Sequence, residues 1–187
     1  MRRTARLLAA ITLLGACNGD PITTESSAHI QARTTESEAS ATAVKRDLGA
    51  LRRVTAPFHN FEKATAAGWS AQITSCMTSA DGGMGFHYGN TALIDGTVRV
   101  EEPELLLYEP ERNGRLRLVA VEYIVPLSAW TSPEPPRLFG RDFHVNEAFQ
   151  LWALHVWVWK NNPSGLYADW NPRVTCEHAN AVSTMTH

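Results

Sequence analysis

The sequence predicts an α+β domain, with one or two N-terminal helices packed on an antiparallel sheet of about four or five strands. Three observations carry that expectation. Leu48, Leu51, Val54, Phe58 and Phe61 recur every three or four residues, the spacing of one helical face. Two β-prone runs, Leu105–Glu109 and Leu116–Val125, flank Asn113-Gly114, a strong short hairpin signal because both turn positions accept positive φ. A further β-prone run spans Leu151–Trp159.

In chain order, Arg2, Arg3 and Arg6 precede an apolar run from Leu7 to Ala16 that ends in Gly15-Ala16. A cationic segment, a short apolar core and small residues before a cleavage point describe a secretory signal peptide over residues 1–16. The segment Leu14-Gly15-Ala16-Cys17 resembles the lipobox of bacterial lipoproteins. That resemblance implies cleavage before Cys17 and its lipidation, palmitate included, with an exported protein anchored to the cell membrane or outer membrane. A plain signal peptide with Cys17 there by chance is the alternative. Several acyl chains would anchor the protein stably where one is marginal.

Residues 17–46 hold only Ile22, Ile30 and Val44 as larger apolar residues, so they are expected to be a flexible tether. A single domain follows over 47–178. Its core helix is placed at 56–67, with Thr55 as N-cap, Pro57 in the first turn and Gly68 as the stop. Gly82–Tyr88 reads as a short strand after a glycine-rich turn. In 116–125, Val119, Val121, Tyr123 and Val125 are expected on one face, with Leu118, Ala120, Glu122 and Ile124 on the other. Both faces are apolar, so this is a central strand. In 151–159, Leu151, Ala153, His155, Trp157 and Trp159 would share a face. Residues 179–187 read as a loose polar tail.

Composition narrows the function. Seventeen Lys+Arg against 19 Asp+Glu give a net charge of −2, and no basic field exists to hold nucleic acid. Removing Arg2, Arg3 and Arg6 leaves 14 basic against 19 acidic residues, so an anionic membrane surface would repel the mature chain and the lipid must do the anchoring. With Cys17 assigned to lipid, Cys76 and Cys176 remain, and two cysteines in an exported protein usually pair. Closing so long a loop is worth about 4–5 kcal/mol on the chain-entropy model.

No catalytic signature is present: there is no Gly-x-Ser-x-Gly elbow, His-Glu-x-x-His, phosphate loop or dinucleotide fingerprint. What remains is polar residues in apolar runs, namely His87, Glu122 and His155. A carboxylate in a central strand is costly unless paired, protonated or bound to a cation. If the three faces meet, they form a two-histidine, one-carboxylate set able to hold a divalent metal with open positions, or to line a small-ligand pocket without one. Trp157 would add an aromatic wall beside His155. The alternatives are a purely structural reading, with Glu122 paired to Arg115, Arg117 or Arg141, and a structural or interaction lipoprotein with no site. Tyr88, Asn90 and Glu104 are secondary candidates, expected to serve the hairpin or a turn.

The segments Gly83-Met84-Gly85-Phe86-His87-Tyr88 and Leu154-His155-Val156-Trp157-Val158-Trp159-Lys160-Asn161-Asn162-Pro163-Ser164-Gly165, running on to Trp170-Asn171-Pro172, with Pro103–Tyr108 and Val121-Glu122-Tyr123, resemble a family of uncharacterised bacterial secreted proteins and lipoproteins. The resemblance spans roughly residues 50–176 and implies a recurring exported domain. It supplies no catalytic residues.

Overall fold

A computed structural model describes residues 24–183; the expected signal peptide and Cys17 lie outside the described residues. The chain divides into two units, Met1–Ala39 and Ser40–His187. The first helix, α1 (Thr24–Thr55), runs from one into the other. Residues 24–46, expected as a flexible tether, are therefore helical instead. Ala, Glu, Gln and Arg are strong enough helix formers to sustain a helix without an apolar face, and residues 30–42 are exposed all round.

From Val44 onward the helix acquires that face: Val44, Leu48 and Leu51 pack into the core. It stops at Thr55 because Pro57, in the 3-10 turn Ala56–His59, disfavours helical backbone in the residue before it. Asn60 then caps α2 (Phe61–Ala66), its side chain accepting from the Lys63 amide at 3.0 Å. The single core helix expected at 56–67 is thus two shorter pieces, and the cap is Asn60. Thr55 instead donates its hydroxyl to the Leu51 carbonyl.

The sheet has six antiparallel strands, one or two more than expected. They are β1 (Ala71–Ser79), β2 (Gly82–Gly89), β3 (Leu105–Pro110), β4 (Leu116–Pro126), β7 (His144–Asn146) and β8 (Leu151–Val156), in the order β1-β2-β3-β4-β8-β7. A two-residue ribbon, β5 (Arg137–Leu138) with β6 (Arg141–Asp142), stands apart. The Asn113-Gly114 hairpin forms as expected: Gly114 has φ 78°, and the Asn113 side chain accepts from the Arg115 amide. Edge strand β7 is only three residues long, too short to leave a periodic signal.

Two corrections concern which way side chains point. Leu107 pairs with Ala120 but Tyr108 with Leu118, so Val119 is an extra, bulged residue. The bulge moves Leu118 to the side of Val121, Tyr123 and Val125, and Val119 to the side of Ala120 and Ile124. Its carbonyl is free to accept from the Trp159 and Lys160 amides. Strand β8 ends at Val156, three residues early. Trp157 and Trp159 consequently part company, Trp157 packing on one face and Trp159 on the other.

One sheet face is covered by the end of α1, the 3-10 turn and α2. Its core is aromatic: Phe61, Tyr88 and Tyr108 form a triangle of ring contacts with centroids 4.5–5.9 Å apart, and Phe58 pairs with Trp69 at 4.7 Å. Helix α3 (Ala179–Ser183) adds Ala179 and Val182 to this core, so the first part of the expected loose tail is ordered. The opposite face is covered by the chain returning after β8, with Leu166, Trp170 and Val174 packed on Met84, Leu105, Leu107 and Ile124. A disulfide between Cys76 and Cys176 ties that returning chain to β1, as the cysteine count predicts. The glycines of β2 are needed for close approach. A Cβ at Gly85 (φ 87°) would lie 2.3 Å from the Tyr108 carbonyl, and one at Gly82 (φ 128°) 2.3 Å from that of Asn171.

Candidate functional site

The face beneath the returning chain carries His87 on β2, Glu122 on β4 and His155 on β8, all 95% or more buried. Glu122 and His155 are direct cross-strand partners. His87 lies beyond β3, opposite Leu107, and reaches across that strand to the same point. His87 Nε2 is 3.4 Å from Glu122 Oε2, and His155 Nε2 is 3.6 Å from Glu122 Oε1. One donor atom from each residue can be chosen so that all three lie within 4.8 Å of one another. The structure thus brings together the three residues singled out from sequence, although 33 or more positions separate each from the next.

The far side of each imidazole is also held. His87 Nδ1 shares a 2.8 Å hydrogen bond with the Thr74 hydroxyl on β1. His155 Nδ1 faces Asp169 Oδ1 at 3.3 Å, off the line of a hydrogen bond, and neither ring nitrogen of His155 makes one. Asp169 also lies 3.6 Å from His144 Nε2. The loop carrying Asp169 is fixed by two buried asparagines. Asn162 donates to the Trp170 carbonyl and accepts from the Ser164 amide, while Asn171 donates to the Asn161 carbonyl and accepts from the Arg173 amide.

Burial dominates the electrostatics. It pushes His87 down to about 3, helped by the neighbouring His155, so this ring is neutral at ordinary pH. It also raises Glu122, with His155 opposing. For His155 burial pulls downward, but the carboxylates of Glu122 and Asp169 outweigh it and the net shift is upward. The adjacent His155 holds Asp169 below its ordinary value. Both members of the Glu122–His155 pair therefore keep their protons to higher pH than isolated groups would. Near them, burial raises Glu104 to about 8; its Oε2 accepts from the Ile124 amide at 3.1 Å.

The triad lines a cavity of about 290 Å³. Ile73, Thr74 and Met77 of β1, Met84, Leu105, Ile124, Asn146, Ala148, Phe149, Leu151, Asp169 and Trp170 complete its walls. Trp157, expected as a wall, is not among them. It is buried in the core beside the site, and its indole N–H donates to the Ala168 carbonyl at 2.6 Å. The aromatic walls are Trp170, from the returning loop, and Phe149. Glu122 pairs with neither Arg115, Arg117 nor Arg141, since its ion-pair partners among the described residues are the two histidines. Of the secondary candidates, Tyr88 meets Phe61 edge-to-face on the helix-covered face and Asn90 caps the 3-10 turn Thr91–Leu93 through the Ala92 amide. Thr74, Phe149, Asp169 and Trp170 had no periodic signal to mark them, because three lie in loops and Thr74 on a strand with three register shifts.

The donor set fits a divalent transition metal. Two donors each about 2.0–2.1 Å from an ion at the tetrahedral angle stand about 3.4 Å apart. The two nitrogen–oxygen separations, one to each oxygen of the Glu122 carboxylate, lie near that value and exceed the 2.7–2.9 Å of a charge-assisted hydrogen bond, while one donor atom from each residue falls within 4.8 Å of the others, so the three side chains need only a small adjustment to share an ion. Comparison of the chain with protein-family models, with curated proteins and with solved structures gives no match.

Proposed function

We propose that the domain binds a small molecule at a divalent-metal centre formed by His87 Nε2, Glu122 and His155 Nε2, with zinc the ion this tetrahedral spacing suits best. The observation that carries the reading is a buried carboxylate flanked by two imidazoles near metal-ligand spacing, with His155 Nε2 buried and without a hydrogen-bond partner. Three protein ligands leave a tetrahedral ion one position for water or for a donor atom of the ligand. Thr74 and Asp169 sit where outer partners orient ligating imidazoles. The cavity then supplies room beside the open position.

The test is metal analysis of protein purified without an affinity tag, followed by zinc titration. Near-stoichiometric zinc, lost in His155→Ala and in Glu122→Gln while the far-ultraviolet spectrum is kept, supports the reading. A folded protein that takes up no zinc, copper, nickel or iron overturns it. The same proposal places the domain outside the cytoplasm, on a lipid at Cys17. Cys17→Ser should move it from the membrane fraction to the soluble one.

A further inference from the structure

We infer that the molecule accepted by this cavity is a small monocarboxylate with an apolar body, an inference that rests on the metal reading above. Charge comes first. A divalent ion held by two neutral imidazoles and the Glu122 carboxylate keeps one net positive charge in its inner shell, at a point where all three ligands are at least 95% buried. An uncompensated buried charge is strongly unfavourable, so the open position selects a single negative charge over a neutral group. Asp169 does not supply it: this carboxylate is 41% exposed, lies behind the His155 ring and is shared with His144.

A second negative charge has nowhere to go. No lysine or arginine lines the cavity, whose polar wall beyond the triad is Thr74, Asn146 and the Asp169 carboxylate, so the second charge of a phosphate or dicarboxylate would meet no cation there. The apolar wall is built from Met84, Leu105, Ile124 and Leu151. Four large apolar side chains are exposed among the described residues, and two of them, Ile73 (41%) and Phe149 (52%), line this same cavity. Apolar surface left in water beside a pocket marks where an apolar body docks. The volume, about 290 Å³, is at the lower end for small-molecule sites and suits a short-chain or single-ring acid.

The experiment is titration calorimetry on the zinc-loaded protein with benzoate, butyrate and hexanoate. Benzyl alcohol serves as the neutral analogue and inorganic phosphate as the multiply charged anion. At least one monocarboxylate should bind tenfold or more tightly than benzyl alcohol and phosphate, and removing zinc should weaken it at least tenfold. Phe149→Asp should weaken it about threefold or more with zinc stoichiometry unchanged. Failure of all three acids to bind, equal or tighter binding of phosphate or benzyl alcohol, or zinc-independent binding overturns the inference. Since zinc stoichiometry is measured first, a protein that takes no zinc removes the metal reading and this inference together, whereas a zinc-loaded protein without the preference removes only this one.

Discussion

Glu122 and Tyr123 are consecutive residues of one strand, yet they face two differently built halves of the domain. On the helix-covered side every buried aromatic polar atom has a fixed protein partner. Tyr123 donates to the Val100 carbonyl at 2.6 Å, Tyr108 to that of Phe58 at 2.7 Å, Trp69 to that of Pro103 and Trp159 to the Thr55 hydroxyl. On the other side three ionisable groups face one another at separations too long to satisfy them. The difference teaches where stability and function divide. The first face is closed by its own contacts, and the second leaves the nitrogens of a buried imidazole without a hydrogen bond.

Stability and binding measurements can break or sharpen that contrast. The largest effect belongs to the packed face: Leu106→Ala, at a fully buried position, should destabilise by about 2–5 kcal/mol in urea unfolding while leaving zinc stoichiometry intact. A loss under 1 kcal/mol would mean the face is loosely packed. Next in size is Glu104. Burial raises it from 4.5 to about 8, so between those values the unfolded chain is ionised while the folded one stays protonated. Its contribution to stability is full below pH 4.5 and is lost as pH rises towards 8, by a few kcal/mol. Glu104→Gln should flatten that decline, and an unaltered pH profile would exclude Glu104 as its source.

On the site face the sign reverses. Glu122→Leu with His155→Leu replaces the buried pair by apolar side chains, so metal-free protein should be unchanged or more stable by about 1–4 kcal/mol, and zinc binding should vanish. Strong destabilisation of the metal-free protein would make the pair structural. The smallest effects lie one layer out: Asp169→Asn and Thr74→Val should each weaken zinc about 10–100-fold with little change in unfolding midpoint. Equal affinity in both variants would remove these residues from the orientation of the imidazoles.

Much of this contrast was legible beforehand, and the reasons differ by element. Period-2 alternation and Asn113-Gly114 fix β3 and β4 to within a residue or two, because one hairpin needs no information from elsewhere. Polar residues inside apolar runs mark His87, Glu122 and His155 for the same local reason. The bulge at Val119 and the early end of β8 were hidden, since both depend on amides of Trp159 and Lys160 that reach β4 only in the folded chain. Asp169 and Trp170 were hidden similarly: the loop bearing them is shaped by Asn162 and Asn171 and by the glycines of β2, none of which carries a periodic signature. Residues 24–46 escaped because helix propensity acts without burial.

The Cys76–Cys176 bridge deserves a last consequence. Cys76 sits two residues beyond Thr74, which grips one imidazole, and Cys176 ends the returning segment whose Asp169 faces the other. The crosslink thus braces both outer supports of the triad, and Cys76 itself packs against the helix-covered core. Reduction of the bridge would free the returning segment from β1 and loosen both outer supports together. Cys76→Ser with Cys176→Ser should therefore lose zinc affinity at temperatures where its aromatic core is still intact.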